Sequence, residues 1–463
     1  MLTDRKHSRS LWIVTALALL YSAVHFASSG VRVPLSAPNL GKFDEETPAL
    51  LEHLRTNQPV HIDNPVQYGP VFFFVVHPLI RAAGGDRVVL ATWLFALQLV
   101  CVGFSFWLTC ATLRPFVPDP QNIWPLVVSW LAVLWLNFSP LYTILAVKSV
   151  ETWELLLICL ALYAYLREQR WITAFALAAA GLIKVLPLIF FYYLLVKDRR
   201  TFSYSVVALL AFLLVGHLLY GPDMGLGYLP HVGRAAVGNT WGLNWHENIS
   251  LKGAIAKLIG HLEVPPGADR SQTPNGLGFY VVLSRPQLTA TILLGDLAAL
   301  TGLALLTWTW LRGPVGRTVE RTLWEWSFLV VALLILSPNT TFEYATLALG
   351  AMSYVFVRLV SAASYGEPRL RTSIGFGAAI VLLGALLPRQ LLNRVTFVSA
   401  INQWTGYRHL TTSEAYQYYC FPLAGLLLLA ATIWWLRPTE LLAVPSNREK
   451  TRERPGFVRS VRL

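Results

Sequence analysis

Long runs of apolar residues, separated by short polar stretches, recur along the whole chain. Such runs are typical of transmembrane helices, which need about 17–25 apolar residues to cross the hydrocarbon core of a bilayer. The pattern predicts about twelve spans, near residues 11–27, 70–83, 88–112, 124–140, 149–166, 171–196, 201–220, 287–311, 323–337, 342–360, 373–388 and 416–436. We therefore expect an all-α polytopic membrane protein.

The polar stretches between the spans predict the organisation of the rest of the chain. Residues 30–69 and 221–285 are the two long loops, and residues 438–463 form a basic tail. No internal repeat is evident, so residues 1–463 are expected to form a single domain. Composition agrees with a membrane protein, because only 13% of the 463 residues are charged, against about 25% in soluble domains.

The net charge of +12 is explained by basic residues that flank the spans. Arg5, Lys6 and Arg9 precede the first span, and the tail after the last span is rich in arginine. Because basic flanks stay on the cytoplasmic side, both termini are expected in the cytoplasm and the two long loops outside. The positions of these charges favour the lipid bilayer as the partner and do not indicate nucleic acid.

One predicted span departs from this charge rule. Residues 171–196 have basic residues at both ends, Arg167 and Arg170 before and Lys197 after. Gly181 and Pro187 interrupt the segment, so it is either one broken crossing or a re-entrant hairpin. The sequence interpretation adopted here is the single broken crossing, because it keeps the parity of the upstream spans.

Three adjacent carboxylates, Asp44, Glu45 and Glu46, stand out in the first loop of a chain poor in acids. Pro48 suits the first turn of a following amphipathic helix on the membrane surface. Asp44 near its start either caps that helix or acts as a general base that deprotonates an acceptor hydroxyl. The sequence does not decide between the helix cap and the general base.

Candidate binding residues occur in both loops. Tyr68, before the second span, suits a membrane interface. In the second loop, Asn248 or Ser250 is a candidate cap for a helix over residues 251–259, whose N-terminus would favour an anion. His246 and Lys252 add charge nearby, and an ordinary amphipathic surface helix is the alternative.

Ionisable residues inside predicted spans are costly, and they usually face a bundle interior or mark function. They are Lys148, Glu151, Glu154, Lys184, Asp296 and Glu343. Lys148 and Glu151 are three residues apart, which predicts an ion pair on one helix face. Lys184, in the interrupted span, has no such simple partner.

Four short motifs, in order along the chain, resemble glycosyltransferase family 87, which includes polyprenyl-phosphate-mannose-dependent mannosyltransferases. They are Tyr68-Gly69-Pro70-Val71-Phe72, Ile183-Lys184-Val185-Leu186-Pro187, Asn248-Ile249-Ser250-Leu251-Lys252-Gly253 and Leu336-Ser337-Pro338. An acidic residue after Phe43 adds to the resemblance. The chain departs from the family where Gly69 replaces a proline, Ser149-Val150-Glu151-Thr152 replaces Gly-Gln-x-Asn, and Glu343-Tyr344 replaces a histidine pair.

The resemblance implies a GT-C type bundle with an outer-face catalytic loop and a lipid-carrier cleft. It implies transfer of a sugar from a polyprenyl-phosphate donor to a glycolipid or glycan, usually with inversion, in a bacterial inner membrane. Asp44 becomes the catalytic base, with Glu45 in reserve. His246, Asn248 and Lys252 become candidates to hold the donor phosphate, with Tyr68 beside them, while Lys184 faces the donor or only stabilises the broken helix.

The sugar remains open, with mannose the family's familiar case and a pentose the alternative. We expect no metal or other cofactor, because a lipid-monophosphate donor needs no paired-carboxylate metal site. Two other functions fit a polytopic chain. They are a lipid or solute transporter using Lys184 and Glu343, and a non-catalytic scaffold of the cell envelope.

Overall fold

The computed structural model describes residues 5–36, 40–44, 47–56, 58–60, 68–230, 233, 243, 245, 247–263, 280–311, 318–365, 369–384 and 416–438. Glu45, Glu46 and His246 lie outside these residues, as does the tail beyond residue 438. The backbone of Asp44 is described and its side chain is not.

Helices form most of the described chain, because a helix satisfies its backbone hydrogen bonds internally and so suits the apolar runs. In chain order they are α1 (Arg5–His25), α2 (Val33–Ser36), α3 (Thr47–Thr56), α4 (Pro70–Ala82), α5 (Arg87–Leu113), α6 (Trp124–Leu136), α7 (Ser139–Val147), α8 (Glu151–Leu166), α9 (Arg170–Ile183), α10 (Ile189–Lys197), α11 (Arg199–Tyr220), α12 (Leu251–Ile259), α13 (Arg285–Leu311), α14 (Val319–Leu336), α15 (Leu349–Ser364), α16 (Leu370–Leu382) and α17 (Phe421–Trp435).

Shorter elements connect or extend these helices. A π-helical segment, Phe26–Arg32, continues α1. The 3-10 helices are Gly41–Asp44, Arg114–Phe116, Leu186–Leu188, Pro222–Met224 and Phe342–Ala348. Two strands, β1 (His261–Glu263) and β2 (Tyr280–Val282), pair antiparallel with His261 opposite Val282. This small sheet in the second loop is the described exception to the all-α expectation.

Five helical segments of the described chain are long and apolar enough to cross a membrane by length and composition. They are Ser10–Arg32, Arg87–Phe116, Arg199–Tyr220, Arg285–Leu311 and Phe342–Ser364. A sixth span results if α6 and α7, bent by 53°, are counted as one. Further apolar helices such as α9 and α16 have only 10–17 residues. The predicted count of twelve is therefore not confirmed.

Basic side chains collect at one end of the helix bundle, here called the basic end. It is where α8 and α14 meet α10. There Glu325 forms ion pairs with Lys197 (2.9 Å) and Arg321 (3.0 Å). Nearby, Arg358 pairs with Glu320 at 2.7 Å. The opposite end, where α8 begins and the second loop meets residues 338–340, is called the loop end.

The segment 170–197 is a helical hairpin whose two ends lie at the same end of the bundle, so the single broken crossing expected from the sequence is wrong. Its first arm, α9, runs parallel to α11, because Trp171 stacks on Tyr204 at 4.3 Å near the start of both helices. Further along, Phe175 meets Phe212 edge-to-face at 5.6 Å. With 14 residues, α9 is about 21 Å long.

The second arm, α10, returns to the end from which α9 started. Tyr193 lies 6.5 Å from the ring of Tyr165, which is at the end of α8, and donates to Glu325 at 2.9 Å. The basic residues on both sides of the hairpin therefore lie at one end, as the charge rule requires. Lys184 occupies the connection between the arms.

Two hydrophobic clusters hold these elements together. The larger one lies among α5–α11 and α14–α17. The smaller cluster joins the first loop to α4, α8, α9 and α11, and includes Phe43, Tyr68, Phe72 and Trp153. By contrast, leucines such as Leu218 on α11 and Leu297 on α13 are exposed, which suits helix faces turned toward lipid.

Candidate active site

The tip of the hairpin α9–α10 presents Lys184 at the loop end. Helix α9 stops at Ile183 because Lys184 adopts extended backbone (φ −141°, ψ 149°), and Pro187 is the second residue of the 3-10 turn that follows. The Lys184 ammonium donates to Glu151 Oε1 at 2.5 Å and to the Tyr344 hydroxyl at 2.8 Å. One cation thus connects α9, α8 and the 3-10 helix Phe342–Ala348.

The first loop reaches the same point through Tyr68. The Lys184 ammonium lies 5.3 Å from the centre of the Tyr68 ring, within range of a cation–π interaction. Tyr68 also packs on Phe72, with ring centres 4.5 Å apart. The structure therefore brings together two predicted site residues that are more than a hundred positions apart in the sequence.

Gly69 allows this close approach. Its N–H donates to the Ile183 carbonyl at 3.2 Å, and a Cβ atom here would overlap the carbonyl oxygen of Leu182. A proline, which the family has at this position, would lack the N–H group. The departure from the family motif is therefore coupled to the way the hairpin tip meets the first loop.

We expect Gly69→Ala to lower the free energy of unfolding by about 1–3 kcal/mol, because the added methyl group has no space. The measurement is the midpoint of thermal unfolding in detergent. Gly103→Ala on α5 is the matched control, since no atom lies within 4 Å of its Cβ position. An unchanged midpoint for Gly69→Ala would contradict the packing described here.

The backbone of Asp44 lies beside this group. It ends the 3-10 helix Gly41–Asp44, whose Phe43 is fully buried and stacks on Phe72 at 5.4 Å and near Trp153 at 5.7 Å. Gly41 has φ +58° and packs against the Val147 carbonyl, where a Cβ would overlap. The turn that carries Asp44 thus packs against the last residue of α7 and the first turn of α8. The predicted helix after it is present as α3.

The second loop is joined to residues 338–340 by Asn248, which is fully buried. Its Oδ1 accepts from the N–H groups of Ser250 (3.0 Å) and Thr340 (3.3 Å), and its Nδ2 donates to the Pro338 carbonyl (3.2 Å). Ile249 N–H adds a bond to the Thr340 carbonyl at 2.6 Å. Asn248 in this arrangement therefore holds two separated segments together.

The rest of the Asn-x-Ser-Leu-x-Gly motif has a local explanation. Ser250 caps α12, because its hydroxyl accepts from Gly253 N–H at 3.0 Å. A Cβ on Gly253 would come within 2.5 Å of Asn248 Cγ. The motif therefore combines a helix cap with space for the Asn248 amide.

Removing the Asn248 amide should weaken this junction. We expect Asn248→Ala to cost about 2–4 kcal/mol of stability, since three hydrogen bonds of about 1 kcal/mol each are lost. Ser250→Ala, which removes the cap bond, should cost about 1 kcal/mol. Thermal unfolding and protease cleavage in the second loop measure both, and equal effects of the two variants would argue against the bridging role.

Two lysines of α12 are buried. Lys252, 3% exposed, pairs with Asp296 at 2.9 Å, and its stem lies against Gly295. Lys257 donates to the carbonyls of Asn248 (2.7 Å) and Gln417 (3.0 Å). Burial lowers the pKa of Lys257 to about 8, so the ammonium is still largely protonated at neutral pH.

Sequence reasoning missed the partners of Lys184. Lys148 and Glu151 do not share a helix face as predicted, because α7 ends at Val147 and Lys148 has a left-handed backbone (φ 48°). Glu151 begins the next helix and binds Lys184 instead. Tyr344 was noted only as a departure from the family histidines. Trp153 carried no signal in the sequence.

Glu154 and Glu343 are also buried near this group. Glu154 lies one turn after Glu151 on α8, and Glu343 adjoins Tyr344. Among the described residues, no cluster of three or more His, Cys, Asp or Glu side chains is arranged to hold a metal ion.

Comparison with known proteins identifies the family. The sequence model of glycosyltransferase family 87 matches residues 67–338, more than half of the chain. That range contains all four motifs on which the resemblance rested, and it begins after Asp44. The match confirms the expected family. No curated protein matches the chain. The match, the apolar helices and the joined motifs lead to one conclusion: the chain belongs to glycosyltransferase family 87 and is a multi-pass membrane glycosyltransferase.

Proposed function

We propose that the protein transfers a sugar, in the first instance mannose, from a polyprenyl-phosphate donor to a hydroxyl group of a glycolipid or glycan acceptor. One observation carries the proposal. Phe43 next to Asp44, Tyr68, the hairpin tip at Lys184, and Tyr344 come from four distant stretches and meet at the loop end. An acidic turn can supply a general base, and a cation can compensate the charge of a leaving phosphate.

In the proposed reaction, the Asp44 carboxylate takes the proton of the acceptor hydroxyl. The acceptor oxygen then forms a bond to the anomeric carbon while the bond from that carbon to the phosphate oxygen breaks. Attack from the face opposite the phosphate inverts the configuration, as in inverting glycoside chemistry. The electron pair leaves with the polyprenyl phosphate, and Glu45 is the reserve base.

The leaving phosphate needs cationic or N–H donors. Lys184 and Lys252 both carry ammonium groups paired with carboxylates, and Asp296, the partner of Lys252, is 40% exposed. In the proposal, a donor phosphate competes with Asp296 for Lys252, with His246 and Tyr68 alongside. Asn248 contributes by holding residues 338–340 against α12. The single phosphate is compensated by these groups, so no metal is included.

We place the reaction on the outer face of a bacterial inner membrane, with both termini in the cytoplasm. This orientation is supported by the basic end, because Arg167, Arg170 and Lys197 together favour the cytoplasmic side. The loop end, with Asn248 and Lys184, then faces outward. The full GT-C bundle of about twelve helices remains part of the proposal.

The test incubates the purified protein in detergent with a panel of polyprenyl-phosphate sugars and membrane-lipid acceptors. The expected result is a glycolipid product from one of the donors, with mannose tried first. Transfer only from nucleotide sugars would overturn the lipid-phosphate donor. Donor-independent solute flux into sealed vesicles, without sugar transfer, would favour the transporter alternative. No observation on the described residues supports that alternative.

A further inference from the structure

Buried polar atoms without a hydrogen-bond partner concentrate in one part of the described chain. They include Gln98 Oε1, Ser149 Oγ, Thr152 Oγ1, Trp153 Nε1, both carboxyl oxygens of Glu154, Thr340 Oγ1, Thr341 Oγ1 and Thr346 Oγ1. Each such group costs about 1–3 kcal/mol when it is left unsatisfied, and native proteins keep few of them. A concentration of this kind points to a ligand rich in hydrogen-bonding groups.

These groups belong to segments that are already tied together at the candidate active site. Most are on the first turns of α8 or in residues 340–346, and Lys184 bonds both segments through Glu151 and Tyr344. Gln98 joins from α5, where its Nε2 donates to the Ser149 carbonyl at 2.7 Å. The segments that carry these atoms therefore meet at one junction of α5, α8 and the 3-10 helix Phe342–Ala348, and Glu154 is on the same face of α8 as Glu151, which binds Lys184.

Glu154 is the strongest member of the set. Its side chain is fully buried, and neither carboxyl oxygen has a hydrogen-bond partner in the described residues. Glu325, buried to 3% exposure at the basic end, shows the contrast, since it accepts from Tyr193, Lys197 and Arg321. The buried carboxyl group of Glu325 therefore has hydrogen-bond donors around it, as a structural carboxyl group should. The carboxyl group of Glu154 has none among the described residues.

The chemistry of the junction favours a neutral polyhydroxyl group. Carboxyl and threonine oxygens accept from hydroxyl groups, and the Trp153 indole N–H donates to them. Lys184, the cation of this junction, is already paired with Glu151, so a neutral ligand leaves that ion pair intact.

We propose that Glu154, together with Trp153 and Thr346, lines the pocket for the sugar of the donor, in which Glu154 accepts hydrogen bonds from the sugar's hydroxyl groups. This inference rests on the function proposed above and adds which residues select the sugar. It also assigns a role to the α8 start, where the chain departs from the family's Gly-Gln-x-Asn element.

Entry of a sugar requires one wall of the closed junction to move. The wall formed by Phe342–Ala348 is a seven-residue 3-10 helix, although 3-10 runs longer than three or four residues are uncommon and often mark a hinge. It continues directly into α15. In the proposal, this segment opens to admit the sugar, and Thr346 moves with it.

The experiment compares wild type with Glu154→Gln on the preferred polyprenyl-phosphate sugar and on its set of monodeoxy analogues. Wild type should lose about 100-fold in kcat/KM for the analogue that lacks the hydroxyl bound by Glu154. Glu154→Gln should be slower on the parent donor by a similar factor, but should discriminate against that analogue by less than about 5-fold. The lost discrimination is the signature of direct contact.

Thr346→Val, on the opposite wall, is the second variant and should relax discrimination at a different hydroxyl. Ser105→Ala on α5 is the control, since within the described part of the chain this buried hydroxyl bonds to the Cys101 carbonyl of its own helix. Variants that slow all donors by one common factor would overturn the sugar pocket while leaving the proposed function intact. Absence of transfer from every polyprenyl-phosphate sugar by wild type would instead overturn the proposed function, and the pocket with it.

Discussion

Asp44→Asn is expected to reduce sugar transfer by a factor of about 10²–10⁴, the usual contribution of a general base. The amide cannot accept the proton of the acceptor hydroxyl, while its size and hydrogen-bonding reach are retained. Transfer is measured as initial rate with the lipid-phosphate donor and acceptor in detergent. Because Asp44 ends a turn anchored by buried Phe43, thermal unfolding of the variant should match wild type.

The two neighbouring carboxylates provide the controls. Glu45→Gln and Glu46→Gln should keep most of the wild-type rate if Asp44 is the base. Full activity of Asp44→Asn would reduce its role to capping α3. Loss of activity confined to Glu45→Gln would move the base by one residue and leave the reaction class unchanged.

Lys184→Met is expected to destabilise the protein by about 3–5 kcal/mol and to abolish detectable transfer. The reason is that Glu151, fully buried, loses the ammonium group that compensates its charge. The double variant Lys184→Met with Glu151→Leu should recover most of the stability, because it removes the Glu151 carboxylate together with the ammonium group that compensates it. Unfolding midpoints and transfer rates are measured for wild type, both single variants and the double variant.

The double variant decides between the two roles considered for Lys184. Recovered folding without recovered transfer would assign Lys184 to the reaction, and recovered transfer would make it a structural residue of the hairpin tip. Lys197→Met is the matched control. Lys197 makes a similarly buried pair with Glu325 at the other end of the same hairpin (2.9 Å), and its loss should leave the rate per folded molecule unchanged.

Local patterns predicted several elements well. The amphipathic stretch after Pro48 is α3, and the helix expected over residues 251–259 is α12 with Ser250 as its cap. Both predictions succeed because they depend on residues within one or two turns of each other. The four family motifs were recognised for the same reason, since each occupies only a few consecutive positions.

Contacts between distant segments were not predictable in this way. The basic residues on both sides of 171–196 were read as an exception to the charge rule, although they follow it once the segment turns back at Lys184. An apolar run indicates that a segment prefers lipid. It does not distinguish a single crossing from a hairpin, because both have the same composition. The pairing of Glu151 with Lys184 likewise depended on a helix break at Lys148 that spacing alone did not reveal.

The sequence by itself determined that this chain enters a membrane, that basic residues flank its apolar runs, and to which family it belongs. These properties follow from hydropathy, charge and short motifs, which are local along the chain. Only the tertiary structure decided that α9 and α10 form a hairpin, that Lys184 meets Tyr68, Glu151 and Tyr344, and that Glu154 is buried beside them. Such groupings depend on how helices pack, and packing is set by side-chain shapes from many distant positions acting together.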